Sequence, residues 1–232
     1  NLQNILANMV LLTIVAFGQT FVIITGGIDL SAGWVMGMVT VISAIAMNRF
    51  APETPLWLVV IAGGAVGVGA AWIAGLVNGL LIARLNVPPF IATLGMFGIA
   101  RGVGFLVSGG MPVPVRVDGI GRLGNGYLLY YHPTAGWSWF TQPAGLAQAD
   151  MRHVVGILPY VLIVLIVLFI VAHLLLSRSH FGLHTYAIGG NQEAALRAGI
   201  PVSRRLITIY MLSATFAAIA GIVYNTRFTN GA

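Results

Sequence analysis

The sequence predicts an all-α membrane protein, a polytopic bundle of transmembrane helices with broken or re-entrant segments, on three observations. Of 232 residues, 58% are hydrophobic. Only 7% are charged, against roughly 25% in an ordinary soluble domain. Those charges fall mostly between long apolar runs. A hydrocarbon core about 30 Å thick takes roughly 20 apolar helical residues to cross, and several runs meet or approach that length.

Six windows follow in order. Ile5 to Thr25 is the first. Ala32 to Met47 is short and comes directly after the string GGIDLS. Leu56 to Ala83 carries Gly63, Gly67, Ala71, Gly75 and Gly79, small residues spaced by four that form one strip along a helix. Backbones can meet closely on such a strip. Tight packing inside a bundle and lining of a narrow path both fit it. Gly33 with Gly37, and Ser213 with Ala217 and Gly221, repeat the device more weakly. Phe90 to Val107 is interrupted and, with the short second window, points to the broken helices that transporters build around a pathway. Val154 to Leu176 ends in an almost unbroken run of Leu, Ile and Val, and Leu206 to Tyr224 closes the series. All of 1–232 is expected to form one transmembrane domain. The chain opens at Asn1 inside a hydrophobic stretch and stops just after another, which predicts a piece of a longer protein with further helices.

Arginine in short loops marks the cytoplasmic side. Residues 177–205 carry Arg178, Arg197, Arg204 and Arg205 and are placed there. Alternation puts Arg84 inside, and the segment 109–153 and the start of the chain outside. A re-entrant fourth window would invert the parity of everything before it. The outer segment holds Tyr127, Tyr130, Tyr131, Trp137, Trp139 and Phe140 among glycines and prolines. Such rings suit a membrane-interface belt or a docking surface for a partner.

Several function classes are excluded. All eleven basic residues are arginine, and a nucleotide-binding GxxxxGK[ST] loop needs its lysine. Cysteine is absent, which removes disulfides, thiol nucleophiles and thiolate metal sites. The net charge of +6 belongs to cytoplasmic loops and not to a nucleic-acid surface. The only i, i+4 histidine pair, His180 with His184, is interrupted by Gly182 and predicts no metal site. With no paired carboxylates, HExxH or GxSxG, no residue is assigned as catalytic.

Between the fifth and sixth windows, Asn191 is a good N-cap, Glu193 lies in the first turn, and Gly199 with Pro201 stops the helix. Two turns are marginal in water because nucleation is costly. This helix therefore docks, either on its own bundle or against a partner.

Here the residues resemble a family. YAIGGNQEAALRAGI at 186–200 is similar to the coupling segment of permease subunits of bacterial monosaccharide importers of the ATP-binding-cassette class, typified by the ribose importer permease. TFVIITGGIDLSAG at 20–33 and NVPPFIATLGMFGIARG at 86–102 resemble two further segments of that family, in the same order. The resemblance implies a permease dimer in the bacterial inner membrane. It implies sugar delivered by a periplasmic binding protein, and a separate ATPase that carries the ATP and its Mg, leaving this chain without a cofactor. Gly189, Gly190, Asn191, Glu193, Ala194, Ala195 and Gly199 would form the ATPase contact: glycines for the turn, alanines for close approach, Glu193 as polar anchor. The outer segment is longer than the resemblance leads one to expect.

A charge within the membrane costs several kcal/mol unless it is paired or hydrogen-bonded. Asp29, the one acid in the first four windows, either caps a helix entered at Leu30 or marks a break near the pathway, paired with Arg101. Arg101 otherwise snorkels to an interface. A neutral sugar needs hydroxyl and amide partners and an aromatic face, so Gln19, Thr20, Thr25, Asn78 and Thr93, with Trp34 and Phe90, are the remaining pathway candidates. Each also fits a hydrogen bond to a neighbouring helix. Two alternatives stand beside sugar import: a branched-chain amino-acid permease, and an ion-coupled transporter with Asp29 as its titrating group.

Overall fold

The computed structural model describes residues 2–143 and 150–231. Residues 144–149 of the predicted outer segment, and Asn1 and Ala232, lie outside the described residues. Among the described residues, six helices are apolar enough to cross or nearly cross a bilayer: α1 (Leu2–Ile24), α2 (Ala32–Met47), α3 (Leu56–Leu85), α4 (Pro89–Ser108), α6 (Tyr160–Ser177) and α9 (Val202–Phe228). α5 (Ile120–Asn125) lies at one end of this bundle, and α7 (His180–Gly190) and α8 (Gln192–Arg197) lie at the other. The chain is a multi-pass membrane protein.

α9 is the hub, packed against α1, α2, α3 and α5. Phe216, Ala217, Ala218 and Ala220 are all buried along it. α6 is peripheral: Val161 and Ala172 are its buried residues, while Val167 and Phe169 are more than half exposed. Apolar side chains on that outer face have lipid as their solvent. Association between such helices comes from close packing, since lipid is as apolar as leucine.

The small-residue strip of α3 supplies that packing. A Cβ on Gly75 would stand 2.8 Å from the Met211 Cα of α9, and one on Gly79 would stand 2.7 Å from Ile207 Cα. Gly67 meets side chains of α2 instead, with Val39 Cγ1 2.9 Å and Ser43 Cβ 3.2 Å from such a Cβ. The strip is thus filled by the neighbouring helices α2 and α9 and lines no path. α4 runs without interruption, and Pro88 and Pro89 stand at its N-terminus, where a missing N–H costs nothing. The breaks in the bundle are the connections 25–31 and 86–88.

The outer segment departs from the helical expectation. β2 (Tyr127–His132) pairs antiparallel with β3 (Gly136–Trp139) and with β4 (Val155–Pro159), so the first residues of the fifth window are strand. A five-residue apolar run carries no period that separates strand from helix. Tyr131 and Trp137 pack across the sheet with ring centroids 4.8 Å apart and ring planes tilted by 49°. β1 (Val113–Pro114) pairs with β5 (Asn230–Gly231). Asn48 ties this end together, donating to the Pro114 carbonyl and accepting from the Arg116 N–H, both at 2.8 Å.

Candidate functional site

After Ile24 the chain leaves the helix through Gly26, whose φ of +75° suits glycine. Residues 25–31 then run as turn and extended chain. Asp29 sits half-buried in this break. Its Oδ1 accepts from the Ser31 N–H at 3.0 Å and from the Ser31 hydroxyl at 2.6 Å. Its Oδ2 accepts from the Ser213 hydroxyl of α9 at 2.8 Å. The network continues on both sides. Gln19 Nε2 of α1 donates to Ser213 Oγ at 3.2 Å, and Asn78 Nδ2 of α3 donates to Ser31 Oγ at 3.0 Å. The Thr93 hydroxyl of α4 lies 2.8 Å from the Pro89 carbonyl and 3.2 Å from that of Ile28. One helix, α9, therefore bonds the carboxylate directly, α1 and α3 bond the serines that hold it, and a fourth helix holds the adjoining backbone.

These donors offset the cost of a charge inside the bundle. They also replace both expectations for Asp29. The helix starts at Ala32, with Ser31 and not Asp29 in the cap position. The pair with Arg101 does not form: the guanidinium lies 5.0 Å from the centre of the Trp34 ring. Arg101 is eight residues beyond Thr93 on α4, about 12 Å along the axis, too far from the break to compete with two serines. Thr20 and Thr25 bond back to the Ala16 and Val22 carbonyls of α1, both at 2.8 Å.

Of the predicted pathway residues, the structure thus joins Gln19, Asp29, Asn78 and Thr93 and leaves Thr25 at the edge of the break. The Phe90 side chain is half exposed, and its carbonyl lies 3.5 Å from the Thr93 hydroxyl. Sequence reasoning missed Ser31, Ser213 and Tyr210. Ser31 lies in the GGIDLS string itself and Ser213 in the small-residue strip of α9, while buried Tyr210 gave no signal.

At the same end of the bundle lie α7 and α8. The first was not anticipated; Ser179 caps it, accepting from the N–H groups of Phe181 and Gly182 at 3.1 and 3.2 Å. Asn191 caps α8 by accepting from the Ala194 N–H at 2.9 Å, and Gly199 ends the turn with φ +81°. Ile188, Ala195, Val202 and Leu206 form a small core beneath the two helices, which lets so short a helix persist.

The seven predicted contact residues divide by direction. Gly189, Gly190, Asn191, Glu193, Ala194 and Gly199 are exposed, while Ala195 is buried at 4%. Gly189 and Gly190 are the last residues of α7 and make no turn. A Cβ on Gly189 would collide with the Ile24 carbonyl oxygen, whereas Gly190 faces open space. Glu193 pairs with Arg197 at 2.7 Å on the surface. The segment thus leaves six of these residues exposed, and one of the six, Gly189, also rests its backbone on the last residue of α1, just before the break that holds Asp29.

Known proteins resemble this sequence over nearly its whole length. Residues 1–232 match the family described as branched-chain amino acid transport system / permease component. The ribose import permease of Bacillus subtilis (strain 168) is 33% identical over 227 residues, covering 98% of this chain and 61% of that protein. The galactose/methyl galactoside import permease of Haemophilus influenzae is 35% identical, over 96% of this chain and 62% of its own length. The fructose import permease of Rhizobium meliloti is 36% identical, over 94% and 53%. The chain spans about three fifths of the length of these relatives. No solved structure matches it. With the match running from the first residue to the last, through both the break and the capped helix, the chain belongs to this family of transport-system permease components.

Proposed function

We propose that this chain is the transmembrane permease subunit of an ATP-binding-cassette importer that carries a monosaccharide across the bacterial inner membrane. A periplasmic binding protein delivers the sugar, a separate ATPase holds ATP and Mg, and a second permease copy completes the assembly. The relatives named for ribose, galactose and fructose support a sugar over a branched-chain amino acid.

One observation carries the mechanism. Gly189 of α7 lies directly on the Ile24 carbonyl, so a displacement of α7 and α8 by the ATPase meets the end of α1. The break beyond Ile24 is fastened to α9 through Ser213 and to α3 through Ser31 and Asn78. A push from the cytoplasm therefore arrives where three helices share one set of hydrogen bonds, a place able to switch between two bonded arrangements. The ion-coupled alternative needs Asp29 to take up and release a cation, yet both its oxygens already accept hydrogen bonds.

The test combines Glu193→Ala with Gly190→Trp. Gly190 has open space around it, so the added ring meets a partner before it meets the bundle. The expected result is loss of ATPase co-purification and of ATP-dependent sugar uptake, with thermal unfolding of the permease unchanged. A double variant that still co-purifies and transports normally refutes the assignment.

A further inference from the structure

Near the Asp29 network, the inner ends of the helices frame a cavity of about 320 Å³. Thr25 and Gly27 line it from the break, Asn86 from the end of α3, Tyr210 from α9, and Gln192 from α8. The last contribution places the segment that faces the ATPase in the wall of the cavity itself.

Tyr210 is the feature that calls for a ligand. Its side chain is only 1% exposed, and its phenolic oxygen has no hydrogen-bond partner. Such a group forfeits the bonds it would make in water, and native proteins leave few of them unpaired. The oxygen rests against Gly27, where a Cβ would stand only 2.6 Å away. Glycine at this position is what allows the phenol to reach the cavity edge.

The chemistry of the wall limits the ligand. No charged side chain lines it; a hydroxyl, a phenol and two amides do. That set donates to and accepts from the hydroxyls of a neutral polyol. A zwitterionic amino acid would meet no charged group in the lining, and burying its two charges unpaired is costly.

We propose that this cavity is an inward-facing monosaccharide site, in which Tyr210 Oη hydrogen-bonds a sugar hydroxyl and Gln192 touches the same molecule. Movement of α8 then changes the sugar's own surroundings, so release into the cytoplasm is linked directly to the ATPase stroke. The inference rests on the sugar-import reading above.

The experiment uses the whole permease with its ATPase and binding protein in proteoliposomes. The probes are radiolabelled D-ribose, D-galactose, D-fructose and L-arabinose. Tyr210→Phe keeps the ring and removes one oxygen, so a merely structural phenol would leave uptake unchanged. Loss of a ligand hydrogen bond is expected to lower uptake at limiting sugar about tenfold, with thermal unfolding no lower than in the wild type. Residues 1–232 have no cysteine, so Thr25→Cys adds a thiol in the cavity wall, and its labelling is read on the permease as the increase over the wild-type assembly. The transported sugar at high concentration is expected to slow maleimide labelling of that thiol. Unchanged uptake by Tyr210→Phe, or labelling that ignores the sugar, overturns the site while leaving the import function standing. A wild-type assembly that carries none of the four sugars overturns the import reading, and the site with it.

Discussion

The Asp29 to Ser213 hydrogen bond joins the break to α9, and a double-mutant cycle measures what it contributes. Ser213→Ala removes one of three hydrogen bonds to the carboxylate, at 2.8 Å, and leaves Gln19 Nε2 without its 3.2 Å partner. A hydrogen bond to a charged group contributes about 1.5–3 kcal/mol. The half-buried setting of Asp29 puts this one near the lower figure. Ser213→Ala is therefore expected to cost about 2 kcal/mol once the weaker Gln19 bond is included. Asp29→Ala removes the acceptor of all three bonds but also a charge that was costly to hold inside the bundle, so its net cost is about 3 kcal/mol. The double variant loses the shared bond only once, and its cost should fall below the sum by about 1.5 kcal/mol. The assay is reversible unfolding of the purified permease in mixed micelles, titrated with denaturing detergent. Costs that add to within about 0.5 kcal/mol would show that the two groups do not interact and would refute the shared network.

Two further outcomes follow from the packing. Gly79→Ala drives a methyl group into the Ile207 backbone and should cost about 1–3 kcal/mol, whereas Gly69→Ala on the same helix meets open space and should gain up to about 1 kcal/mol from helix propensity. Equal effects in thermal unfolding would contradict the α3 to α9 contact. Arg101→Ala and Asp29→Ala should add to within about 0.5 kcal/mol, because the guanidinium rests on Trp34; a coupling above 1 kcal/mol would restore the discarded ion pair.

How far the sequence could be read depended on the range of the interaction. Helix positions were legible because length and apolarity are local quantities, and the cap at Asn191 was legible because it uses one side chain and the next turn. The glycine strip could be read as a contact surface, yet only the fold shows that Met211 and Ile207 fill it. Asp29 stood out as an acid among apolar residues. Its partner did not, since Ser213 lies 184 positions away and a serine in a helix has no distinguishing pattern. The strand β4 was taken as helix because five apolar residues have no readable period, and the pairing with β2 decides it. Gly189 was assigned to a turn on residue type alone, and only the position of Ile24 shows why a side chain is forbidden there.

In the proposed importer α7 and α8 face the cytoplasm, at the opposite end of the bundle from the aromatic sheet. Single thiols test this directly, since the chain has no cysteine of its own. Ala198→Cys follows α8 and Trp137→Cys lies on β3, and both positions are exposed. A membrane-impermeant maleimide applied to intact spheroplasts should label Trp137→Cys and spare Ala198→Cys, with the pattern reversed in inverted vesicles. Labelling of Ala198→Cys from outside the intact membrane would contradict the account, because no cytoplasmic ATPase could then reach that helix.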